Sequence, residues 1–63
     1  MQVLREQRQY AVAAAAERER AAWKAFEQAA RRDLEDEATI RPYRERWQIA
    51  ARALVEALRA LKN

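Results

Sequence analysis

Pro42 is the only proline in the chain, and there is no glycine at all. These are the two residue types that most readily interrupt a helix. Proline lacks an N–H and its ring crowds the carbonyl four residues back; glycine loses the most backbone entropy on ordering. With a single interrupter in 63 residues, the chain has one place to turn. Alanine, glutamate, lysine, leucine and arginine supply 42 of the residues, a bias that belongs to long helices and coiled coils. The expected fold class is all-α: one domain, residues 1–63, folded as an antiparallel hairpin of two long helices.

The turn falls within "DLEDEATIRPY". Pro42 biases Arg41 away from helical geometry and is welcome in the first turn of a new helix. Thr39 is then the candidate N-cap. This reading predicts helix 1 over about 3–36, a turn at about 37–40 and helix 2 over about 41–62. Asp33, Glu35, Asp36 and Glu37 would oppose the dipole at the end of helix 1 and favour it at the start of helix 2, so the cluster reads as a solvated turn. A calcium loop counted from Asp33 needs glycine at its sixth position and an acid at its twelfth; Ala38 and Arg44 stand there.

Helix 2 carries one apolar stripe in steps of three and four: Ile40, Tyr43, Trp47, Ala50, Ala51, Leu54, Ala57, Leu58 and Leu61. Helix 1 carries a matching stripe of Val12, Ala15, Ala16, Ala22, Trp23, Phe26, Ala29, Ala30 and Leu34, interrupted by Glu19. It also carries a second row, Val3, Tyr10, Ala14, Ala21 and Ala25, with Leu4 and Ala11 between the two. One partner helix cannot cover both rows. Folding at the predicted turn sets Ala30 near Trp47 and Trp23 near Leu54. It leaves roughly eleven residues of helix 1, about 16 Å, without an intramolecular neighbour. A chain this short buries only about 60% of its unfolded surface, and the usual remedies are disulfides, a metal or oligomerisation. With neither Cys nor His there is no disulfide and no zinc site of the usual kind. Oligomerisation remains. The expectation is a homodimer, assembled as a four-helix bundle, with Val3, Leu4, Tyr10, Ala11, Ala14, Ala21 and Ala25 at the interface.

Equipment for catalysis is thin. There is no His, Cys or Ser, and the hydroxyls are Thr39, Tyr10 and Tyr43. No glycine-rich loop is available to cradle a phosphate. Glu19 is the one carboxylate inside an apolar stripe, and it is expected to pair with an arginine of helix 2 or of a second chain. The chain is read as a non-enzyme that needs no cofactor, holds no metal and takes no small-molecule substrate. Trp23, Phe26, Tyr43 and Trp47 follow core spacing rather than forming a stacking platform.

One charged feature stands out. Arg41, Arg44, Gln48, Arg52, Val55, Arg59 and Lys62 step by three and four along helix 2, beside its apolar stripe. Glu45 and Glu56 lie behind, so no carboxylate is expected within a line about 32 Å long. Residues 1–38 carry a net −1 and residues 39–63 a net +4. Such a line suits phosphates or a carboxylate-rich surface. The expected function is a small binding or adaptor protein that engages an acidic protein surface through this line. RNA or DNA is the second choice of partner, and a purely structural or designed bundle the third. In shape alone the expected assembly resembles the Rop-type hairpin dimers, which implies RNA binding; no residue motif is shared with them. The opening "MQVLREQRQY" is charged too early for a secretory leader and no apolar run is long enough to cross a membrane, so the expected place is the cytoplasm.

Overall fold

The computed structural model describes the backbone of residues 2–62 and the side chains of residues 4–62. Helix α1 runs Gln2–Arg32 and helix α2 runs Glu37–Lys62. They pack along each other as a hairpin with extents of 51 × 14 × 11 Å. The chain is all-helical, as its composition requires.

The turn occupies residues 33–36, four positions earlier than the sequence reading set it. Helix α1 ends at Arg32, not near residue 36. Arg31 and Arg32 close it, with cations where the dipole favours them. Asp33 N–H still reaches the Ala29 carbonyl at 2.9 Å, and Asp36 N–H closes the turn on the Asp33 carbonyl at 3.0 Å. No described residue has a positive φ, so the reversal needs no glycine. Helix α2 begins at Glu37 rather than 41, because Asp36 is its N-cap. Asp36 Oδ1 accepts the Thr39 N–H at 3.3 Å and Oδ2 accepts the Thr39 hydroxyl at 2.6 Å. Thr39 is therefore the third helical residue and not the cap. These two hydrogen bonds, the hydroxyl's first, hold the Asp36 carboxyl below the ordinary carboxylate range. Pro42 lies inside α2, in its second turn, where the Ala38 carbonyl goes without its usual N–H partner.

Moving the turn moves the register. Trp47 lies against Trp23, with ring centroids 5.1 Å apart, and against Phe26 at 6.2 Å. The predicted neighbour of Trp47 was Ala30. Leu34, placed in the core stripe by its spacing, is 79% exposed at the tip. Lys62 comes level with about residue 7 of α1, so the overhang shrinks to about five residues, or 8 Å.

The core between the helices is thin. Ala15, Ala29 and Ile40 are its buried residues, and among the described residues no large side chain is fully buried. Two alanines can be that well covered because their small side chains let the helix axes approach closely. Trp23, Phe26 and Trp47 form the widest part of the interface, and Trp23 meets Phe26 edge to face at 5.5 Å. Glu19 reaches this cluster and accepts the Trp47 indole N–H at 3.0 Å. Within the chain its partner is an indole, not an arginine of α2.

Candidate binding surface

Helix α2 places the basic line. At about 100° per residue, its mean direction lies about 120° round the helix from the apolar stripe, which turns it out to solvent. Arg41, Gln48, Arg52, Val55, Arg59 and Lys62 are exposed and Arg44 is half-buried. The line exists as a continuous outer edge of α2, but its two ends differ.

The N-terminal end is occupied. Glu37 lies one turn before Arg41 and two before Arg44, which continues the line by one acidic residue. Its carboxylate accepts a hydrogen bond from Arg44 Nη2 and stands 3.9 Å from Arg41 Nε. The Arg44 hydrogen bond, with the charges of Arg44 and Arg41 behind it, holds the Glu37 carboxyl below its ordinary range. The sequence reading set Glu37 in the turn and so missed it. The i, i+4, i+7 spacing from Glu37 to Arg41 and Arg44 would have shown it, had α2 been started early enough.

The C-terminal end is free. Arg52, Arg59 and Lys62 make no ion pair among the described residues. Val55, 45% exposed, sits between Arg52 and Arg59, and Leu58, 43% exposed, borders them on the core side. Trp23 of α1 is also 43% exposed, and its phase on α1 turns it to the same side of the hairpin. Val55 and Leu58 make apolar ground edged by three cations over about 15 Å, while Trp23 stands level with Trp47, nearer the tip. No pocket indents the described residues and no group of acids, His or Cys could hold a metal among them.

The second row of α1 is equally open. Leu4, Tyr10, Ala11 and Ala21 are exposed, and Ala14 and Ala25 are half-buried. The side chain of Val3 lies outside the described residues. Helix α2 leaves most of this row exposed. Comparison with protein-family models, with characterised proteins and with solved structures gives no match.

Proposed function

We propose that the protein is a non-enzymatic binding module that engages an acidic, partly apolar protein surface through the C-terminal half of α2. It acts as a homodimer whose two hairpins form a four-helix bundle. Among the described residues no helix is long and apolar enough to cross a membrane, and the module is read as working in the cytoplasm.

The observation that carries the partner class is Val55, exposed between Arg52 and Arg59 with Leu58 beside it. A phosphate backbone is met by cations and hydrogen-bond donors and gains nothing from an exposed valine between them. A helix with an apolar stripe and acidic flanks fits cations that alternate with apolar side chains. Glu37 supports the same reading from within the chain: it engages Arg41 and Arg44 as a partner's carboxylate would. RNA or DNA remains the second reading, and the exposed Trp23 beside the line favours it, since such a ring can stack on a base.

The test pairs the wild type with the double variant Arg52→Glu, Arg59→Glu. A photo-crosslinking residue at position 55 is used to capture partners from nuclease-treated lysate of the source cell. A protein captured by the wild type and lost from the variant, at fixed stoichiometry, supports the proposal. Binding of generic oligonucleotides with a logarithmic salt slope near −3, the value for about three phosphate contacts, would replace it with the nucleic-acid reading. Capture of the same species by both forms overturns any role for the line.

A further inference from the structure

We infer that a second copy of the chain docks on the side of the hairpin opposite the basic line, across both helices, with Ile49 near the centre of the contact. This rests on the reading that the protein self-associates, and it names the face.

The geometry is as follows. Viewed from the N-terminus of each helix, the row Tyr10, Ala14, Ala21 and Ala25 is displaced from the core face of α1 by about 140° in one rotational sense. Ile49, Ala53 and Ala60 are displaced from the core face of α2 by about 100–140° in the same sense. On antiparallel neighbours, equal senses lead to the same side of the pair. The basic line is displaced in the opposite sense and lies on the other side. Ile49 is 66% exposed and Tyr10 77%. Neither has an intramolecular role, and around them stand alanines that let another helix come close.

The occupant follows from area and charge. The hairpin exposes 5394 Å2. A compact monomer of 7.4 kDa exposes about 4,200 Å2, so about 1,200 Å2 is in excess. A standard interface takes about 800 Å2 from each partner, which is less than that excess. The face also contains Arg18, which has no ion pair among the described residues and could not be covered uncompensated. Glu45 and Glu56 flank Ile49 on α2. Laying α1 of one copy on α2 of the other brings Arg18 within about one helical turn of the partner's Glu56, so that the cation is covered beside an acid. Arg46, also on this side, is held over the Tyr43 ring at 5.4 Å and stays at the edge.

The test is sedimentation equilibrium at micromolar concentration on the wild type, Ile49→Glu and Val55→Glu. Ile49 and Val55 are both exposed in the lone hairpin, so neither change harms that hairpin by itself. The wild type and Val55→Glu are expected at twice 7.4 kDa. Ile49→Glu is expected at the single-chain mass, or to lose its helical circular dichroism while Val55→Glu keeps it. Arg18→Glu should likewise dissociate the dimer, and Arg18→Glu with Glu56→Arg should restore it. A wild type at the single-chain mass sinks the dimer itself. A dimer that survives Ile49→Glu sinks this face alone, and a charge swap that restores nothing sinks the α1-on-α2 arrangement. None of these outcomes bears on whether Arg52 and Arg59 hold a partner.

Discussion

Trp47 does two jobs with one side chain. Its ring joins Trp23 and Phe26, and its N–H ends on Glu19. Trp47→Ala removes both and should cost about 3–5 kcal/mol, measured by chemical denaturation. Trp47→Phe keeps an aromatic ring and strands the Glu19 oxygen. Because that site is only partly covered, the loss should be near about 1 kcal/mol. Equal losses in the two variants would mean that the hydrogen bond, not the ring, fixes the register. The carboxylates at the turn predict a pH dependence. Asp36 and Glu37 are both held below their ordinary range in the folded chain. Groups with a lowered folded pKa contribute stability above their unfolded pKa and lose it as pH falls through the folded value. The melting temperature should therefore be flat near neutrality and fall below about pH 4, where unfolded carboxylates titrate. Asp36→Asn, which can still cap but cannot change charge, should flatten part of that fall.

At the scale of the helices, the start of α2 tests what a proline costs in a second turn. Pro42 withholds an N–H from the Ala38 carbonyl there, although Asp36 and Thr39 have already closed the first turn. Pro42→Ala restores that bond and relieves the ring, partly offset by a freer unfolded chain. A gain of about 1–2 kcal/mol is expected in urea denaturation, and no gain would show that the helix bends there without strain. The same residue explains what was and was not legible in the sequence. The absence of glycine, the lone proline and the two stripes were enough for two helices packed as a hairpin. The turn was misplaced because Pro42 was given a place in the first turn of helix 2, while Asp36 with Thr39 three residues on is the stronger start signal. That error carried Leu34 into the core and displaced the partners of Trp47. It also hid Glu37 at the head of the basic line. The exposure of Arg52, Val55 and Arg59 was legible because it follows from phase alone. Ile49 was not, since only the small Ala53 and Ala60 share its side of α2, too weak a row to stand out beside the main apolar stripe.

The whole molecule is a rod 51 Å long whose buried residues are Ala15, Ala29 and Ile40. So little covered surface leaves the lone hairpin near the margin of folding, and the proposed second copy would supply what is missing. Folding that is completed by association depends on concentration, so the midpoint of thermal unfolding should climb as the protein is concentrated. An unchanged midpoint over a hundredfold range would show a self-sufficient hairpin. Inside a cell, given the proposed dimer, the thinness of that core would act as a census. At low copy number most chains would be open and within reach of proteases, which cut the unfolded population. Above a threshold set by the dissociation constant, copies would shelter one another and persist. Supply from synthesis would then raise the lifetime of the protein as well as its amount, so that the level of the folded form rises more steeply than its rate of production.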